Sequence, residues 1–495
     1  MITFERHPCR AERILRLIKI RRICGLRSVN LTIVSVALQG LLAVSAFSQQ
    51  TWTVKPEWVR AHEEFLASDA LAGRGSATRD EQIAAEYVAS EFLAYGLKPA
   101  PGMTGFIQSA EVVSPELDGK ATLTFEQASF NEGADLRLLI PAGIGASGAL
   151  FHVAAGEVKT DAKQAKVLKG AIVLLTDVPS HESGLMLAYQ MRRSGAAVVL
   201  FEEDEPLRAY LAKNPKPRTM VRLKEEAGDT VGLPATVASV SKAAMERLAA
   251  LKDGAAVTLA VHPLPAKQRK TFNAIGYLEG SDPTSGTILL TAHLDHLGVT
   301  SSPVNGDAIY NGANDDAAGT TAVLELAHVL AAGTKLKRNV LFVCYGSEEA
   351  GELGSEFFGK HTPVPLTQLV TNVEFEMIGS QDPKMPKNTL LFTGWERSNL
   401  GPTLRDHGAL LGPDPYPEQH FFERSDNYQL ALQGVVAHTA AGWGTTPTYH
   451  QLNDDLAHLD INFMTSAIQS LVEPIRWLAG SDFKPKWNPG GQPKR

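Results

Sequence analysis

The sequence predicts an α/β fold, an open sheet of buried strands with helices packed between them. Three observations carry this. The apolar runs GTILLTAHLD, NVLFVCYG and LVTNVEFEMIG have the length and bulk of strands buried on both faces. After Asp315, the residues Val323, Leu326, Ala327 and Leu330 recur on one face of a helix. Each apolar run ends on acidic or imidazole side chains: His293 and Asp295, then Glu348 and Glu349, then Glu376. The carboxyl ends of successive strands are where open α/β sheets carry their sites.

A chain of 495 residues exceeds one ordinary domain. At 44% hydrophobic and 20% charged residues it can bury sizeable cores and is not disordered in bulk. The formal net charge is −7, but residues 1–48 hold eight basic and two acidic residues, so the remainder carries −13. An acidic body argues against nucleic acid as the main partner.

Residues 1–48 read as a signal peptide or N-terminal anchor. A basic stretch precedes an apolar run from Leu31 to Phe47, and Ser48-Gln49-Gln50 follows. Seventeen residues is long for a signal core and short for a spanning helix. The expected location is extracytoplasmic, periplasmic or secreted, with no membrane association beyond such an anchor. Of the cysteines, Cys9 and Cys24 leave with this segment and Cys344 remains alone, inside a strand-like run, as a core residue.

Residues 49–129 read as the N-terminal helical part of the main domain. In TRDEQIAAEYVASEFLAYGL, the residues Ala84, Tyr87, Val88, Phe92 and Leu93 share a helical face that Gly96 ends. Residues 130–265 read as a self-contained insert. Its short β-branched runs are Lys169–Val178, Gly195–Asp204 and GLPATVASVS, with helices at LMLAYQMRRSG and Ser241–Leu251 and no ligand-type cluster in its strands. Residues 266–482 carry the chemistry, and the Pro/Gly/Lys-rich tail 483–495 is expected to be disordered.

His293 and Asp295 are two apart in a strand, so both side chains point the same way and Asp295 can orient the imidazole. A capped strand end explains the pair equally well. Asp315, in YNGANDDAAG, fits a helix N-cap, and its rigid turn also suits a carboxylate shared by two cations. Glu348 and Glu349 repel each other unless one binds a metal and the other holds a water proton; a solvated acidic loop is the competing reading, since Glu352 and Glu356 follow. Glu376 competes with Glu374 on the same side of its strand, and His450 competes with His438, His420 and His296. Jointly, His293, Asp315, Glu349, Glu376 and His450 offer the nitrogen and oxygen ligands that two neighbouring Zn2+ ions need, with Glu348 free to act as a base.

AHLDHLG, IYNGANDDAAGTTAVLELA, GSEEAGELGS and EMIGS, followed by RSDNYQLALQGVVAHTAAGW and YHQLNDD, resemble the successive metal-binding blocks of the secreted zinc aminopeptidases with two co-catalytic metals. The superfamily also holds glutamate carboxypeptidases, glutaminyl cyclases and the non-catalytic transferrin receptors. LASDALAGRGSATRDEQIAAEYVASEFLAYGLKPA resembles the N-terminal segment of its bacterial members, and 130–265 resembles a protease-associated domain. The resemblance implies a three-layer mixed sheet with helices on both faces, a β-rich insert, and hydrolysis of N-terminal residues from peptides. It implies that Glu349 shares one ion with His450 and Glu376 the other with His293. Asp315 would bridge, Glu348 would be the general base and then acid, and Asp295 the catalytic orienter. Two departures stand out: Glu376 replaces the usual Asp, and Ser425-Asp426-Asn427 replaces Ser-Asp-His. A carboxypeptidase, with Arg397, Arg405 and Arg424 as candidate carboxylate holders, a glutaminyl cyclase and a non-catalytic binding protein are the alternatives.

Overall fold

The computed structural model describes residues 53–142, 145–159, 161–213, 221–226 and 235–494. The leader reading, with Cys9 and Cys24, lies outside the described residues. Among those described, no helix is long and apolar enough to cross a membrane.

Nine strands form the larger sheet: β1 Ile107–Leu117, β2 Arg222–Leu223, β3 Pro263–Leu278, β4 Thr287–His293, β5 Asn339–Tyr345, β6 Leu369–Glu376, β7 Leu390–Phe392, β8 Leu411–Pro413 and β9 Ala437–Ala441. Their order is β8-β7-β9-β6-β4-β5-β3-β1-β2. The centre is parallel: β4 pairs with β5 and β6, and β6 with β9. The β3 strand joins antiparallel to β5 and to β1. Every residue of β4 and β5 is buried, as their unbroken apolar runs require of strands covered on both faces.

Helices α1 Pro56–Leu66, α2 Arg79–Ala94, α3 Ala318–Ala332, α4 Leu353–Lys360 and α5 Ile461–Gly480 complete three layers. Alternation along the strands sorts the core. Leu289, Leu341, Val343 and Tyr345 pack with Phe358 of α4 on one face, while α2, α3 and α5 contact the sheet from the other. Thr78 caps α2 by accepting from Asp80 and Glu81 N–H groups. The α3 helix is buried on nearly all sides: Ala322 and Leu324 are as inaccessible as Val323 and Leu326, because α1 and α5 cover the face turned from the sheet. Cys344 is buried.

A second sheet of eight strands draws on residues between Thr122 and Ala260. It therefore takes in Thr122–Phe125 and Ala128–Asn131, ahead of the boundary at 130 read from the sequence. Its strands alternate between two cores. Ile172, Leu174, Val198 and Leu200 face Ala244 and Leu248 of the helix Lys242–Ala249; Val173, Leu175, Val199 and Phe201 face Ala188 and Met191 of His181–Arg193.

The C-terminal tail differs from expectation. Trp487 lies beside Phe422 and His438 and donates its indole N–H to the Gly434 carbonyl at 3.1 Å, and Asn488 donates to the Glu396 carbonyl at 2.7 Å. One aromatic anchor and backbone pairing of Ser398 with Trp487 outweigh the tail's Pro/Gly composition.

Candidate metal centre

The parallel pairing of β4, β5 and β6 brings the ends of three strands to one edge. His293 ends β4, Glu348 and Glu349 follow β5 after Gly346 and Ser347, and Glu376 ends β6. Asp315 enters from the turn Ala313–Ala317 before α3, where it leaves helical dihedral angles and is joined to Asp316 by a cis peptide bond. Capping of this helix falls to Asp316, whose Oδ1 accepts from Gly319 N–H at 3.0 Å, so the Asp315 carboxylate is left for the cleft. His450 comes from the last loop, with a left-handed φ of 55°.

These groups converge on Asp315. Its Oδ1 lies 3.3 Å from His293 Nε2 and its Oδ2 3.2 Å from His450 Nε2. Glu349 Oε1 stands 3.1 Å from His450 Nε2 and 2.9 Å from His296 Nδ1. Two groups have the spacing to hold a cation: His293, Asp315 and Glu376, and His296, Asp315 and Glu349. The chemistry fits cations on a direct test. Both ring nitrogens of His293 and of His296, Asp315 Oδ2 and Glu349 Oε1 are buried without a hydrogen-bond partner. Buried polar atoms without partners are costly, and a divalent ion in each group would take up one nitrogen of its histidine and the carboxylate oxygens beside it.

Taking the protein groups alone, the electrostatics are those of an acid-rich cleft. Burial pushes Glu348 well above the carboxylate range; His293 opposes this, while Asp426, Glu349 and Glu376 add to it. Burial would raise Asp315 too, yet His293, His450 and His296 hold it well below its usual value. For His450 burial lowers the pKa, but Asp315 and Glu349 raise it to about 10.

Asp295 sits differently from an imidazole orienter. Its Oδ1 is 3.7 Å from His293 Nδ1, beyond hydrogen-bond reach. Its carboxylate instead accepts from Glu348 N–H at 2.9 Å, Glu349 N–H at 3.3 Å and Ser76 Oγ at 2.6 Å, fixing the turn that carries both glutamates. Glu376 accepts from Ser425, and Glu374 turns away to accept from the Asn427 backbone N–H. His438 is buried against Phe392 and Phe422 and bonded to Ser398, away from the centre. His420 lies in an exposed loop.

Sequence reasoning missed the residues that hold the loops. Asp454 accepts from the N–H groups of Asn314 and Asp315 at 2.9 and 3.0 Å. Asp316 accepts from His293 N–H at 3.3 Å and Met377 N–H at 2.9 Å. Arg74 is fully buried and donates to the carbonyls of Leu66, Leu294, Asn311 and Gly312 at 2.5 to 2.9 Å. Gly73 before it has a φ of 68°, and a Cβ there would collide with the Tyr310 and Gly298 carbonyls. The signal was present in LAGRGS, where glycines flank a lone arginine.

Beside Glu376 lies a cavity lined by Met377, Leu391, Phe421, Arg424, Ser425, Ala441 and Tyr449. Arg397, Arg405 and Arg424 lie over the rings of Phe422, Trp395 and Phe421.

Leupeptin-inactivating enzyme 1 of Streptomyces exfoliatus is 25% identical over 261 residues, 48% of this chain and 56% of its own length. The matched stretch thus spans little more than half of that relative. Among solved structures, an aminopeptidase from Aneurinibacillus sp. strain AM-1 aligns over 89% of this chain and 98% of its own at 17% identity and a TM-score of 0.53. The zinc aminopeptidase of Bacillus subtilis aligns over 86% and 95% at 18% identity and a TM-score of 0.50. At these identities the two structures establish the fold. Residues 273–473, which contain every group of the centre, match the profile of Peptidase family M28.

Proposed function

We propose that the protein is an exported zinc exopeptidase that removes N-terminal residues from peptides at a centre of two Zn2+ ions. The observation that carries this reading is the two-sided placement of Asp315, one carboxylate oxygen toward His293 and the other toward His450. In this reading His293, Asp315 and Glu376 hold one ion, and Asp315, Glu349 and His450 the other. The ions would acidify a water and polarise the scissile carbonyl. Glu348, beside a ligand and held by its own backbone to Asp295, takes the proton of the attacking water. The same carboxyl then gives that proton to the leaving amine nitrogen as the C–N bond breaks. The apolar wall of Met377, Leu391, Phe421 and Ala441 beside Glu376 suits the side chain of the residue removed.

Amino-acyl amides assayed beside their N-acetylated copies, with metal analysis of the same preparation, test this. Cleavage of the free-amine series alone, with about two zinc ions per chain as a co-catalytic site requires, is the expected result. A second reading, a carboxypeptidase, draws on Arg424 in the cavity lining. It predicts cleavage of N-acetylated peptides that carry a free carboxylate.

A further inference from the structure

We infer that His296 is a ligand of the second ion, so that this ion is held by two imidazoles and the first by one. The inference rests on the two-ion reading above and extends its ligand set. His296 is fully buried, and neither ring nitrogen has a hydrogen-bond partner. A neutral imidazole offers one nitrogen lone pair, and here the nitrogen that faces the cleft meets carboxylate oxygens, which offer acceptors and no donor, so a cation between them answers both. Its Nδ1 points to the two carboxylates of the second group, 2.9 Å from Glu349 Oε1 and 3.9 Å from Asp315 Oδ2.

The ring is also held rigidly. Its backbone N–H donates to the Arg74 carbonyl at 3.1 Å. A Cβ on Gly312 would lie within 2.6 Å of the ring, so the Gly312 backbone walls one side. His450 meets it edge-on, with ring centroids 5.7 Å apart. His450 is a third exposed and rises from a loop, whereas His296 lies just past the end of β4. The buried imidazole therefore supplies the fixed nitrogen of the second site, and the loop imidazole closes over it.

The consequence is an asymmetric pair. One imidazole with carboxylates, at His293, makes the softer claim on zinc. Two imidazoles with carboxylates favour zinc over magnesium or calcium more strongly, so the ion at His296 leaves last.

X-ray absorption of the zinc-loaded parent protein counts imidazoles without any variant. Three imidazoles shared by the two ions is the expected result; two shared by two ions overturns this inference while leaving the two-ion reading intact. A parent that binds no metal instead sinks the two-ion reading itself. Cobalt titration of the metal-stripped His296→Ala and His296→Gln proteins is the second measurement. The second ion should bind more weakly by more than the roughly 10–100-fold that losing a ligand's hydrogen-bond partner costs. Parent affinity and an unchanged cobalt spectrum at both sites in a folded variant overturn the assignment.

Discussion

Glu348 and Glu349 are neighbours in sequence with separate tasks in the proposed reaction, and the turn that presents them does not depend on their side chains. Asp295 holds both backbone N–H groups. Glu348→Gln should therefore leave the turn and the metal content intact while removing the base. The expected fall in kcat is about 10²–10⁴, the usual contribution of a positioned general base. Steady-state rates with zinc analysis check it; loss of zinc would make Glu348 a ligand instead. A second residue-scale prediction concerns Glu63, buried in α1 against Thr321 of α3. Burial raises its pKa from 4.5 to about 8, with Thr321 and Arg74 opposing. The unfolded chain ionises this group from about pH 4.5 upward, while the folded chain keeps its proton to about 8. The folded state thus binds more protons across that window, and stability falls as pH rises through it, by at most about 1.4 kcal/mol per pH unit. Glu63→Gln keeps an acceptor for the Thr321 hydroxyl and removes the titration. Thermal midpoints of parent and variant should coincide near the low end of the window and separate in favour of the variant toward pH 8; parallel curves would refute this.

The elements deliver the candidate ligands, and buried side chains from outside those elements fix the spacing. This division decides what could be read in advance. His293, Glu349 and Glu376 were legible because each ends or follows an apolar strand, and parallel pairing turns strand ends into neighbours. Asp454, Asp316 and Arg74 were not, because they bind main-chain groups of loops whose path the sequence leaves open. His296 stood only as an alternative to His450, yet the loop after β4 brings both to Glu349. The tail's packing escaped because a single tryptophan, not its composition, decides it. Arg74 is the sharpest case for a test. It is a buried guanidinium shared between the loop after β4, the turn before Asp315 and the end of α1. Arg74→Met would leave four carbonyls without their donor. A loss on the order of 3–5 kcal/mol is expected, as for other broken buried charge networks. Denaturant unfolding of the zinc-free proteins measures it, and a change below about 1 kcal/mol, the worth of one ordinary hydrogen bond, would show that water replaces the guanidinium.

At the scale of the whole molecule, the second sheet hangs from the first by two adjacent strands. The chain leaves at Leu117 of β1 and returns at Pro263 of β3, and these residues are register partners. Residues 221–226 tie the regions again: β2 pairs Arg222 and Leu223 with Val113 and Val112, Leu223 is buried with Ala77, Ala110 and Leu353, and Lys224 and Glu225 pair with Glu111 and His361 at the surface. Among the described residues, neither group with metal-holding spacing draws a side chain from the insert. Its reading as a protease-associated domain therefore makes a separable claim, that it handles long substrates and not the chemistry. Joining Leu117 to Pro263 through a short turn removes it without moving the strands, since hairpin connections of two to five residues close such pairs. The cost is the Leu223 contact, about 1.5–3 kcal/mol for one buried leucine, which the remaining cores can absorb. The shortened protein should keep its metal content and hydrolyse amino-acyl amides with kcat/KM within roughly tenfold of the parent, about 1.4 kcal/mol of transition-state stabilisation. Its rate on polypeptides should fall much further. Equal loss on both substrates would tie the insert to assembly of the site, through the strand beside Ala77 and Leu353, and remove the case for a role in handling long chains.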